Sequence, residues 1–258
     1  MRREALVSLL IGAAAGLLAG LTGVGGGVFL VPMLVGLLYL PQHYAHGTSF
    51  VVIFPMALVG VITYAHFEYI DWALMLWLSL GGVFGVLLGA RLMTMLPEKS
   101  LRWLFGIFLL VTGLVMVITS SGIEGGNSIA QGINGGIAGG VGFLAGILAG
   151  VMGVGGGVIM VPAMVLIMGV EQHTAQGVSL AVVMLIAFVG MLAHYRLGNV
   201  RLRAALWIIP AAVVFGFVGS LLAHLAGAVF LRQLVGSLII IMGTITVIKD
   251  LRTRWVPT

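Results

Sequence analysis

The residues best placed to do chemistry are two identical runs of glycine. Gly23-Val24-Gly25-Gly26-Gly27-Val28 returns 130 positions later as Gly153-Val154-Gly155-Gly156-Gly157-Val158, and each copy is followed at the same distance by a proline, Pro32 or Pro162. Glycine costs a helix interior roughly 1 kcal/mol against alanine, so four in five residues break a helix. The break has a chemical use. A helix that restarts after Gly27 or Gly157 presents unbonded N–H groups and a partial positive charge, which together favour an anion. Glycine also lets the backbone approach a ligand closely. The pocket predicted on this reasoning is lined by Gly25, Gly26, Gly27, Gly155, Gly156 and Gly157. Hydroxyls follow downstream, in Gly47-Thr48-Ser49 and Gly177-Val178-Ser179. Thr48, Ser49 and Ser179 either cap the first turn of the next helix or donate to the same ligand. His46 and Gln176 share one repeat position with different polar side chains, which suits a pseudo-symmetric site, and Gln176 joins the ligand-binding set. The plainer alternative is that the glycines only let helices pack closely in lipid. Two copies, each interrupting an apolar run, favour the site.

Other polar residues carry less. His43 and His173 are paired but fall in short loops and read as interfacial, while His66, His194 and His224 are scattered near segment ends. Such spacing is weak evidence for a metal centre, and no metal or cofactor is assigned. Arg91 lies near a segment end, where snorkelling is the default and lining an anion exit path is the alternative. The acidic cluster around Glu68 and Asp71 reads as a helix end. There is no Gly-x-x-x-x-Gly-Lys-Ser/Thr loop, no His-Glu-x-x-His and no Gly-x-Ser-x-Gly, so neither an ATP-driven pump nor a hydrolase is encoded here.

These residues must be positioned by helices in a membrane. The chain has 258 residues, 61% hydrophobic and 7% charged, with a mean hydropathy of +1.23. A soluble domain carries about 25% charged residues. The fold class is an all-α polytopic membrane protein. In that setting the basic pI of about 10.1 marks a cytoplasmic face rather than nucleic-acid binding. Apolar runs fall near 5–21, 28–40, 47–66, 72–95, 101–119, 130–150, 158–170, 177–196, 202–224 and 229–248. The repeat extends far beyond the glycines. Gly12, Gly16 and Gly20 pair with Gly142, Gly146 and Gly150, Trp77 pairs with Trp207, and Gly113 with Gly243, without a gap. Residues 1–120 form the first unit, 121–129 a Gly-rich linker and 130–258 the second. The runs 28–40 and 158–170 are too short to span and predict short or half-membrane helices, so each unit opens with a broken helical hairpin. The N-terminus resembles a signal peptide, but its counterpart at 142–158 lies deep in the chain, so the first segment is read as retained.

With a cytoplasmic N-terminus and hairpins that return the chain, all basic residues but Arg232 fall on the cytoplasmic side, as the positive-inside rule asks. Five segments per unit then make the units antiparallel: an inverted 5+5 repeat, common in secondary transporters, which bind substrate at broken helices near the midplane. The rival arrangement, eight crossings with each hairpin as one broken span, places Arg91, Lys99 and Arg102 outside and is rejected.

The chain resembles the TauE/SafE, or sulfite exporter, family of membrane proteins. The resemblance rests on Gly16 through Gly27 leading to Val31-Pro32, then Ala45-His46-Gly47-Thr48-Ser49. It rests equally on Gly146 through Gly157, Val161-Pro162 and Ala175-Gln176-Gly177-Val178-Ser179, together with Gly198-Asn199-Val200. It implies transport of sulfite or small sulfonates across a bacterial or archaeal plasma membrane. The second copy departs at Val178 and Gln176, and the first has Glu68-Tyr69 where the second has Gly198-Asn199. The expectation is therefore a secondary anion transporter working by alternating access, with the bilayer and a small anion as its partners, both termini cytoplasmic and a homo-oligomer allowed. An anion channel and a membrane scaffold without transport are the alternatives.

Overall fold

Broken apolar runs fold here as short helices trapped between long ones. A computed structural model describes residues 2–119 and 135–253; the expected linker at 121–129 lies outside them. The first unit holds α1 (Arg2–Thr22), α2 (Gly27–Leu37), α3 (Gln42–His66), α4 (Trp72–Met95) and α5 (Glu98–Thr119). The second holds α6 (Gly135–Met152), α7 (Gly157–Leu166), α8 (Gln172–Arg196), α9 (Leu202–Leu225) and α10 (Ala228–Thr253). Six of these, α1, α3, α4, α6, α8 and α9, are long and apolar enough to cross a membrane. The helices α2 and α7 have 11 and 10 residues. At about 1.5 Å per residue they reach roughly half of a ~30 Å hydrocarbon core. Both end earlier than expected, because Tyr39 (φ 52°) and Gly169 (φ 66°) turn left-handed and the Leu40 and Val170 amides reach back to the Leu34 and Met164 carbonyls.

The long helices pack through the predicted glycines. A Cβ on Gly12, Gly16 or Gly20 would strike the carbonyls of Ile208, Ala212 and Gly216 on α9. Gly142, Gly146 and Gly150 face Leu78, Gly82 and Val86 of α4 in the same way. In both pairs the positions rise together, so α1 runs parallel to α9 and α6 parallel to α4. For α3 and α8 the order is reversed: Gly60 meets Leu180 and Gly190 meets Phe50, and the Phe54 and Phe188 rings lie 5.3 Å apart. These helices are antiparallel. The packing of α3 on α9 is likewise matched by α8 on α4, and α5 packs on α10.

Two expectations are corrected. The helices α3 and α8 begin at Gln42 and Gln172, five residues before the expected 47 and 177. His43 and His173 therefore lie in helices, and Thr48 and Ser49 sit in a second turn where they cap nothing. Gln42 is held by His46 one turn on, and His46 in turn by a carbonyl 105 residues away that the local sequence does not announce. Asp71, expected to end a helix, starts α4: its Oδ1 accepts from the Ala73 and Leu74 amides at 3.0 Å.

Candidate functional site

The two glycine loops meet at the centre of the protein. A methyl group on Gly27 would lie 2.5 Å from Val154 Cα, and one on Gly157 the same distance from the Val24 carbonyl oxygen. The loops cross backbone against backbone. Gly26 (φ 73°) and Gly156 (φ 86°) are the N-caps of α2 and α7 in the left-handed region, which L side chains enter at a cost of roughly 1–2 kcal/mol. The first four amides of a helix have no intrahelical acceptor. Here Phe29 and Leu30 turn theirs to the Gly26 carbonyl, and Ile159 and Met160 theirs to Gly156. Among the described residues the amides of Gly27, Val28, Gly157 and Val158 have no such backbone acceptor and lie at the crossing. Val24, Val28, Val154, Val158 and Val183 around it are fully buried, so the crossing is closed to solvent. Of the predicted set, Gly25 and Gly155 both face Val183.

The predicted hydroxyls differ in what they do. Ser49 Oγ donates toward the carbonyls of His46 at 2.7 Å and Gly153 at 2.6 Å. It ties α3 to the second loop. Ser179, its repeat counterpart, is fully buried, and its Oγ has no hydrogen-bond partner among the described residues. A methyl group on Gly157 would lie 2.8 Å from that oxygen. A free hydroxyl thus stands beside Gly157, the first residue of α7. Thr48 points elsewhere: its Oγ1 accepts from the Arg201 amide at 3.0 Å, tying α3 to the Gly198-Asn199 turn.

Breaking α1 and α6 frees carbonyls at their ends, and buried freed groups must be paired. Side chains 44 to 155 residues away in sequence do this in matched fashion. Gln176 Nε2 donates to the Leu21 carbonyl at 3.4 Å, and His46 Nδ1 to that of Val151 at 2.7 Å. Tyr64 donates to the Gly20 carbonyl at 3.2 Å, and His194 Nε2 to that of Gly150 at 3.2 Å. Tyr64 was not singled out in the sequence, and His194 was read only as a scattered histidine near a segment end. The available signal was that they share one repeat position with different polar identities, as His46 and Gln176 do. Tyr64 also donates to Gln176 Oε1 at 3.2 Å. Tyr64→Phe removes the one proton that these two buried acceptors share and is expected to destabilise the protein by about 1–3 kcal/mol, read by thermal unfolding in detergent.

A cavity of about 520 Å³ opens near the starts of α1 and α9, lined by Glu4, Ser8, Arg201, Arg203 and Trp207 among others. The Arg201 guanidinium lies 4.5 Å above the Tyr44 ring.

Apolar spanning helices around two broken ones define a membrane transporter architecture in which irregular backbone is shielded by protein. The chain belongs to the sulfite exporter TauE/SafE family, whose sequence profile matches residues 8–246. It is 25% identical to the probable membrane transporter protein YunE of Bacillus subtilis, covering 83% of this chain and 87% of that one. It is 28% identical to a probable membrane transporter protein of Xylella fastidiosa, covering 94% of each. No solved structure gives a significant match.

Proposed function

We propose that the protein is a secondary transporter of small sulfur-containing oxyanions, of the sulfite or organosulfonate class, working by alternating access between two inverted halves. The observation that carries this reading is the crossing itself: two helix N-termini and the unpaired Ser179 hydroxyl converge on one buried point. N–H donors and a hydroxyl without a carboxylate suit an anion. The antiparallel run of α3 and α8 supports an inverted repeat, since eight crossings with parallel repeats would set those helices parallel. The family and the relatives support transport. The proposed setting is a prokaryotic plasma membrane with cytoplasmic termini, so that Arg201 and Arg203 line a cytoplasmic vestibule through which the anion reaches the crossing.

The crossing is closed in this structure, so flux requires the α2 and α7 hairpins to part. The test is uptake of labelled sulfite and of a simple sulfonate into proteoliposomes. Saturable flux with competition between the anions is expected. Flux that never saturates would mark a channel, and no flux of either anion would overturn the reading.

A further inference from the structure

We propose that His194 is the proton-binding site that couples anion movement to a proton gradient. The inference rests on the transporter reading above and adds the coupling ion to it.

An anion held at the crossing lies far from any formal positive charge. Among the described residues no Asp, Glu, Lys or Arg is buried, and the buried titratable side chains are His46, Tyr64 and His194. Ionisable groups at such depth are functional by default. Two of the three are spoken for. His46 donates from Nδ1 to the Val151 carbonyl and meets Gln42 Nε2 at its other nitrogen, 2.8 Å away. Both ring nitrogens are engaged by a neutral imidazole. The Tyr64 hydroxyl donates to Gly20 and Gln176 and is not a base.

His194 is different. Its Nε2 faces the Gly150 carbonyl at 3.2 Å, so that nitrogen carries the hydrogen. Its Nδ1 is then a bare lone pair, buried and without a hydrogen-bond partner among the described residues. A proton adding to Nδ1 makes an imidazolium with no bond broken elsewhere. Burial opposes a cation here, and two neighbours offset part of that cost. Gly150 belongs to the last turn of α6, the negative end of the helix dipole. The Phe50 ring stacks on the imidazole at 5.2 Å, and an aromatic face attracts a cation.

One facing group, His43, opposes a charge there. The helix α3 contributes His43 and His46, and His46 is held neutral by its two bonds. Neither α6 nor α7 carries a titratable side chain. The helix α4 carries Arg91, which is exposed, and α8 itself carries Arg196, also exposed. Gly150 is three residues from Gly153, about 4.5 Å along a helix. The charge on His194 therefore adjoins a carbonyl three residues before the second loop and favours an anion there. One proton and one monoanion cross together, and the proton leaves Nδ1 when the anion leaves. The counterpart position holds Tyr64, so each chain has one such site.

The experiment reconstitutes the full chain in proteoliposomes with a trapped pH dye and drives flux with a gradient of methanesulfonate, a strong acid whose anion carries no proton of its own. The wild-type protein is expected to admit protons with the anion, at a ratio near one. H194Q keeps an Nε2–H for the Gly150 carbonyl and removes the base. It is expected to move the anion while proton entry falls at least tenfold and flux stops responding to a pH gradient. H194Y, which copies the counterpart Tyr64, is expected to behave alike and serves if H194Q fails to assemble. H43Q, which removes the facing imidazole, is expected to stay proton-coupled. Proton entry that persists in H194Q or H194Y overturns the assignment. Wild-type anion flux without proton movement overturns it too and leaves the transporter reading standing. A wild type that moves neither methanesulfonate nor sulfite overturns both.

Discussion

Gly27→Ala and Gly157→Ala are expected to destabilise the protein by about 3 kcal/mol each, the upper end for overpacking in a filled interior. The reason is what the added methyl would meet. At Gly27 it would lie 2.5 Å from Val154 Cα and 2.6 Å from the Gly153 carbonyl oxygen; at Gly157, 2.5 Å from the Val24 oxygen and 2.7 Å from its carbon. All four are backbone atoms of the opposite half. A side chain could rotate away, but these atoms move only if the crossing opens. Neither glycine has a positive φ, so the cost is steric and separates cleanly from conformational strain. Gly198→Ala supplies the comparison. Gly198 has φ 73° with nothing within 4 Å of an added Cβ, so its substitution costs only the left-handed penalty of about 1–2 kcal/mol. Thermal unfolding in detergent, with yield of monodisperse protein, measures all three. If G27A and G157A melt no lower than G198A, the two loops do not meet as described.

Much of this arrangement was legible in the sequence, and what was missed has a common cause. The doubled Gly-Val-Gly-Gly-Gly announced two helix breaks, and the gapless repeat fixed which residues correspond. The bounds of α4, Trp72–Met95, match the apolar run 72–95, although Asp71 before it was read as ending a helix rather than capping one. The starts of α3 and α8 did not follow. Gln42-His43-Tyr44 has the polarity of a loop, yet Gln42 is only 2% exposed and bonds to His46. Whether a polar residue can be buried depends on its partner, and here the partners are remote: His46 meets a carbonyl 105 residues away and Gln176 one 155 away. The repeat supplies correspondences, not contacts. The same gap hid Tyr64 and His194, whose common task is to satisfy a carbonyl that exists only because a helix was broken. It also hid the difference between Ser49 and Ser179, identical in type and repeat position but unlike in bonding.

That difference gives the second large effect, with opposite signs for two equivalent residues. Ser49→Ala removes the hydroxyl that bonds the His46 and Gly153 carbonyls. It leaves a loop carbonyl short of a donor inside the protein, and a loss of about 1–3 kcal/mol in stability is expected. Ser179→Ala removes a buried hydroxyl that has no partner among the described residues. Burying an unsatisfied polar group is itself costly, so stability is expected to hold or to rise by about 1 kcal/mol. Transport should respond in the reverse sense. A hydrogen bond to a charged ligand contributes about 1.5–3 kcal/mol, and each 1.4 kcal/mol is tenfold in affinity. The half-saturating anion concentration in S179A is therefore expected to rise by ten- to a hundredfold while the melting temperature does not fall. Ser179→Thr, which keeps a hydroxyl, should recover part of the affinity. The paired readout separates a ligand-binding hydroxyl from a packing residue. A scaffolding serine would lower stability and flux together when truncated, and a bystander would change neither. Unaltered anion affinity in S179A, with the protein folded, would remove Ser179 from the site and leave the helix N-termini alone to hold the anion.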